Sequence, residues 1–126
     1  MGAYLLDTHA LIWWLSDPQQ LSPSARKVIA DPAHMIMCSA ASAWEMSIKQ
    51  RLGRLEFPSN LEEVLKQNQI ESLPISIAHT LGTGLLPMHH QDPFDRILIA
   101  QAKHEQLILI TRDAQIESYD VQTLKA

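Results

Sequence analysis

The sequence predicts a single α/β domain spanning residues 1–126, with a mostly parallel sheet of four to five strands covered by helices on both faces. Two observations carry this. Short strand-like segments recur at 3–6, 35–39, 70–75, 107–110 and 121–123, those at 3–6, 35–39 and 107–110 being apolar runs. Between them lie segments with helical caps or apolar residues at helical spacing, and strands alternating with helices in this way imply parallel pairing and helical cover. A chain of 126 residues is long enough to bury a core without staples.

The elements follow in order. Ala3-Tyr4-Leu5-Leu6 ends at Asp7-Thr8 and leads into an apolar segment, 10–15, that stops at Asp17-Pro18. Ser22 and Pro23 are a cap and a first-turn proline, so 22–30 is a helix ended by Asp31-Pro32. The buried-looking strand 35–39 feeds directly into a helix over 40–52, closed by Gly53, with Trp44, Ile48 and Leu52 along one line. Residues 54–59 form a loop, 60–68 a helix patterned on Leu61, Val64 and Leu65, and 70–75 a strand. A short helix at 76–81 precedes Gly82-Thr83-Gly84, which reads as a turn because it lacks the Gly-Lys-Ser/Thr of a phosphate-cradling loop. Asp92 suits an N-cap and Pro93 the first helical position, and Phe94, Ile97, Leu98 and Ala102 give the following helix an apolar face. Leu107-Ile108-Leu109-Ile110 is the clearest core strand, followed by Thr111-Arg112-Asp113, a helical segment at 114–119 and a last strand at 121–123.

Composition narrows the function classes. Hydrophobic residues make up 46% and charged residues 19%, with no low-complexity run, so the chain is globular rather than disordered. A net charge of −4 argues against gripping nucleic acid by charge alone and leaves room only for a local basic patch. The single cysteine, Cys38, excludes an internal disulfide and lies in the apolar run Met35-Ile36-Met37-Cys38, as a buried structural thiol does. No stretch is long and apolar enough to span a membrane, and the first apolar run lacks a basic leader, so a cytoplasmic protein with no membrane partner is expected.

Four acids carry the chemistry. Asp7 and Asp113 directly follow strands, whereas Glu45 and Asp95 lie in early turns of helices. In an open α/β sheet those junctions converge on the rim where ligands bind. Each acid also has a bland reading. Ser42-Ala43-Trp44-Glu45 matches a capping box, and Asp95 sits where it can cap the Asp92 amide. If the four do converge, their repulsion demands protons or a cation, and oxygen-only ligation suits Mg²⁺, with Mn²⁺ as the variant. An ion so held generates hydroxide and orients a phosphodiester. Thr111 is placed to hold an acid or a water beside them.

The blocks 5–14 (Leu-Leu-Asp-Thr-His-Ala-Leu-Ile-Trp-Trp), 39–45 (Ser-Ala-Ala-Ser-Ala-Trp-Glu), 92–102 (Asp-Pro-Phe-Asp-Arg-Ile-Leu-Ile-Ala-Gln-Ala) and 110–113 (Ile-Thr-Arg-Asp) together resemble PIN-domain proteins, and more narrowly VapC-type toxin ribonucleases. The resemblance runs the length of the chain. It implies a three-layer α/β/α sandwich, metal-binding and catalytic acids at Asp7, Glu45, Asp95 and Asp113, and Asp92 and Thr111 as their neighbours. It also implies RNA cleavage, a homodimer, and a small antitoxin whose tail plugs the cleft. No acid is missing.

Accessory candidates are weaker. Arg96 opposes the dipole of its own helix and asks for a partner: Asp92, a phosphate, or an antitoxin or subunit contact. His89 and His90 read as a solvated or hydrogen-bonded loop; the alternatives are a phosphate or loop contact, for which His89 is the substrate-contact candidate, and a transition-metal site with Asp92 and Asp95, against which adjacent side chains in extended chain point apart. Lys49, Arg51 and Arg54 are either a basic patch for RNA or cations suited to a helix C-terminus. Trp13 and Trp14 cannot both face one core, so one is expected at a partner surface.

Two rival functions remain at this level. A PIN-like module that binds RNA or protein without cutting would differ from the nuclease in not needing its metal acids. Phosphoryl transfer through Asp7 is the other, but the aspartate-nucleophile phosphatases need a second Asp where this chain has His9, and receiver domains need a lysine after the 107–110 strand that is absent here.

Overall fold

The computed structural model describes residues 2–126. Five strands, β1 (Ala3–Leu6), β2 (Met35–Ser39), β3 (Ile70–Leu73), β4 (Ile108–Thr111) and β5 (Thr123–Lys125), form one all-parallel sheet in the order β3-β2-β1-β4-β5. The helices are α1 (Thr8–Ser16), α2 (Pro23–Ala30), α3 (Ala40–Arg51), α4 (Leu61–Gln67), α5 (Ile77–Thr83), α6 (Pro93–Glu105) and α7 (Ala114–Glu117), with a 3-10 turn at Pro18–Gln20. The expected α/β/α sandwich is therefore present, with five strands, none of them antiparallel.

The two faces of the sheet explain why the central strands read as unbroken apolar runs. On β1 and β4, Leu5 and Leu109 point into one core with Leu98, Ile99, Ile116 and Tyr119. Leu6 and Ile110 point into the other with Leu11, Ala25, Ile29 and Met46. All four strand residues are fully buried, contributing roughly 1.5–3 kcal/mol each relative to exposure.

Several boundaries move for local reasons. Helix α6 runs three residues past Ala102 and ends on Gln106 in the left-handed conformation, φ 58°, without the glycine that usually marks such an end. Gly53 does mark one: it follows α3 with φ +72°. Helix α5 absorbs Gly82 and Thr83, expected as a turn, and its N-cap Ser76 forms a capping box with His79. Strand β5 lies two residues later than expected, because Tyr119 first accepts from the Val121 amide and turns the chain.

This topology positions the site. With β1 central, the C-terminal ends of β1, β2 and β4 lie side by side, and the Asp7 amide donates to Ile110 O at 3.0 Å, locking β1 to β4 just where both leave the sheet.

Candidate active site

Asp7, Glu45, Asp95 and Asp113 come from four elements and line a single cleft of about 390 Å³ at the C-terminal rim, together with Thr8, His9, Trp13, Lys49, Asp92 and Arg112. Each acid is aimed by local structure. Asp7 is the N-cap of α1, Oδ1 accepting from the Ala10 amide at 2.8 Å, while Oδ2 accepts from Thr111 Oγ1 at 2.6 Å. Thr111 Oγ1 in turn accepts from the Asp113 amide at 3.1 Å, so one buried hydroxyl ties two of the acids together. Asp113 caps α7 through Oδ1, which leaves Oδ2 for the cleft.

The capping readings of Glu45 and Asp95 both fail, and for the same reason: another residue takes the job. Ser39 caps α3 by accepting from the Ala41 amide, while Ser42 accepts from Thr8 Oγ1 in the interior. Glu45 is left a full turn further on, buried, with Oε2 3.0 Å from Lys49 Nζ and Oε1 without any hydrogen-bond partner. On α6 it is Asp92 that caps, accepting from the Phe94 amide, and the Asp92 amide points to His90 Nδ1 at 3.4 Å rather than to Asp95. Asp95 is thereby freed to turn inward.

His90 organises that side of the cleft. Because Nδ1 faces an amide donor, the ring proton belongs on Nε2, which donates to Asp95 Oδ2 at 2.8 Å and Asp113 Oδ2 at 3.2 Å. One ligand atom from each of these three residues lies within 4.8 Å of the others. The adjacent His89 is exposed and packs edge-on against Tyr119, so of the histidine pair it is the other member that enters the site.

Electrostatics record the crowding. Burial raises the Asp7 carboxyl above its ordinary value against the opposing hydrogen bonds from Thr111 and Ala10. Burial, then the neighbouring Asp92 charge, pushes Asp95 up to about 7, against the stabilising His90 contact. Two carboxyls with raised pKa, beside a buried Glu45 oxygen with no donor among the described residues, make a donor set short of positive charge. A hard divalent cation fits it.

The accessory candidates divide. Lys49 lines the cleft, whereas Arg51 and Arg54 are exposed further along and beyond α3, outside the cleft lining. Arg96 pairs with neither Asp92 nor the cleft. Its guanidinium donates to the carbonyls of Thr83, Leu86, Pro87 and His90 and to the Tyr119 hydroxyl, at 2.8–3.3 Å, and so pins the loop that delivers His90. Trp13 and Trp14 are both half-buried: Trp14 donates to Asn68 Oδ1, and Trp13 lines the cleft beneath Arg112. Sequence reasoning assigned no site role to His9 or Arg112, and weighed His90 only together with His89, as a metal-ligating or loop-contact pair. The available signal was adjacency, since His9 lies two residues from Asp7 and Arg112 directly precedes Asp113.

A PIN-domain family model matches residues 4–122. The chain belongs to the PIN-domain family. It is 29% identical over 123 residues to ribonuclease VapC22 of Mycobacterium tuberculosis (strain ATCC 25618 / H37Rv), a match covering 94% of this chain and 93% of that protein. Its fold matches VapBC2 from Rickettsia felis bound to a promoter DNA fragment, with TM-score 0.70, 14% identity and 97% of each chain covered. It also matches DNA-bound VapBC from Salmonella typhimurium, with TM-score 0.69, 15% identity and 98% of each chain covered.

Proposed function

We propose that this PIN-domain chain is a metal-dependent endoribonuclease and the toxin half of a toxin–antitoxin pair. The observation that carries the reading is the convergence of four acids from four elements on one cleft in which Glu45 Oε1 is buried and unpartnered. The ribonuclease name of the M. tuberculosis relative and the VapBC assemblies among the fold matches support the biological setting.

Asp7, Glu45, Asp95 and Asp113 would hold Mg²⁺ or Mn²⁺, and a cation bound there would supply water activation and charge neutralisation at phosphorus. The chain's own groups do the rest. Thr111 fixes Asp7 and Asp113 at one separation, and His90 holds Asp95 and Asp113 together against their repulsion before loading. Lys49 shields Glu45 and, with Arg112, gives the cleft its two cations. Water attacks phosphorus and the 3′ oxygen leaves, giving 5′-phosphate and 3′-hydroxyl ends.

A homodimer and a small antitoxin partner belong to the same proposal. Trp44, Ile48 and Leu52 on and just beyond α3 and Ile77, Leu81, Leu85 and Met88 on and after α5 are large apolar side chains at least 40% exposed, surface of the kind a subunit or antitoxin contact covers. The test of the whole reading is cleavage of RNA by purified wild type beside Asp95→Asn, with Mg²⁺, Mn²⁺ or EDTA. Cutting by the wild type alone, stopped by EDTA, supports it; metal binding without cutting turns the reading to a silent binding module.

A further inference from the structure

Five carboxylates and only two cations, Lys49 and Arg112, line the cleft, so charge alone does not hold a polyanion there. One wall offers something else. The exposed His9 ring lies 5.7 Å from Trp13, centroid to centroid, at 37° between planes, and the Arg112 guanidinium carbon sits 4.5 Å over the Trp13 ring. Arg112 is fixed there by main-chain oxygens: Nε and one terminal nitrogen donate to Ala126 O at 3.0 and 2.8 Å, and that same nitrogen donates to Gln20 O. Three planar groups, two of them held by the scaffold, thus form a shelf in the same cleft as the acids.

We propose that the His9–Trp13–Arg112 shelf binds an unpaired nucleobase of the RNA next to the phosphate that is attacked. The inference rests on the ribonuclease reading and deepens it. Bases stack on aromatic rings and guanidinium planes whatever their sequence, and stacking needs no positive field, which suits a cleft dominated by carboxylates. Only an unpaired base can be splayed onto such a surface. Trp13, half-buried, is the backing plate; His9 and Arg112 are the groups the base meets.

The test compares two fluorescein-labelled 12-mers of equal charge, oligoadenylate and an abasic ribose-phosphate oligomer, by anisotropy in EDTA. Wild type is expected to bind oligoadenylate about tenfold more tightly than the abasic oligomer. His9→Ala, at an exposed position, and Arg112→Lys, which keeps the charge and loses the plane, should each shrink that ratio to about threefold or less. With metal present, both should raise KM for single-stranded RNA by a larger factor than they lower kcat. Equal binding of the two oligomers by wild type, or an unchanged ratio in both variants, overturns the shelf. The two proposals fail separately: cutting without a base-dependent ratio refutes the shelf alone, and a base-dependent ratio lost in the variants, without cutting, refutes the nuclease alone.

Discussion

Replacing Asp95 by Asn should stabilise the metal-free protein at pH 8 while abolishing its response to divalent ions. Burial and Asp92 push the native carboxyl from 3.8 to about 7, whereas in the unfolded chain it titrates near its ordinary value. Below pH 3.8 both states hold the proton and nothing differs. Between 3.8 and about 7 the native state keeps a proton the unfolded state has released, so stability falls as pH rises, and above 7 the loss is complete. At 1.36 kcal/mol per pH unit the full shift amounts to about 4 kcal/mol; halved for a side chain still open to water, it is about 2 kcal/mol. Asparagine carries no such charge and still accepts from His90 Nε2. The variant should therefore melt roughly 4–8 °C above wild type at pH 8 in EDTA and close to it at pH 4. Calorimetric melts at pH 4, 6 and 8, repeated with Mg²⁺ and Mn²⁺, measure both parts, since a bound ion raises the wild-type melting temperature by mass action. A variant that melts lower than wild type at pH 8, or that gains as much from the ion, would refute the reasoning.

Other outcomes follow from the same geometry. Divalent affinity should rise from pH 5.5 to 8, because Asp95, raised to about 7, must release its proton to become a ligand; calorimetry in buffers of different ionisation enthalpy counts the protons released. Thr111→Val removes the 2.6 Å bond to Asp7 and orphans the Asp113 amide, and should cost about 1–3 kcal/mol in urea unfolding together with weaker ion binding. Glu45→Gln should weaken ion binding at least about tenfold by titration, with a small effect on stability, since the ligand oxygen with no protein partner loses its charge. Arg96→Ala should destabilise by about 2–3 kcal/mol and raise protease sensitivity around residues 83–90, because four carbonyls lose a shared donor.

The centre of the sheet was legible because β1, β2 and β4 are largely apolar on both faces, and Met35–Ser39 lies between a turn and the Ser39 cap of α3. What composition could not reveal was the choice between equivalent local partners. Ser42 and Ser39 are both good caps for α3, and the interior hydroxyl of Thr8 takes Ser42 out of contention. At residues 89 and 90 two identical side chains compete, and the backbone bond from His90 to the Tyr119 hydroxyl, 29 residues away, decides which one enters the cleft. Arg96 shows the same limit. Its position against the helix dipole correctly demanded a partner, but carbonyls of an irregular loop leave no signature in a sequence. Gln106, ending a helix at positive φ without being glycine, is set by tertiary packing around Leu107, whose amide donates to Ala102 O.

The central place of β1 has a consequence for the chain as it is made. Asp7 meets its hydroxyl partner 104 residues downstream, and β1 pairs with β4 before β5 can add at the edge. Such distant pairings close large loops and come late in folding. A nascent chain therefore carries no assembled cleft until the segment through Asp113 has emerged, so the four acids meet only when nearly the whole chain has been made.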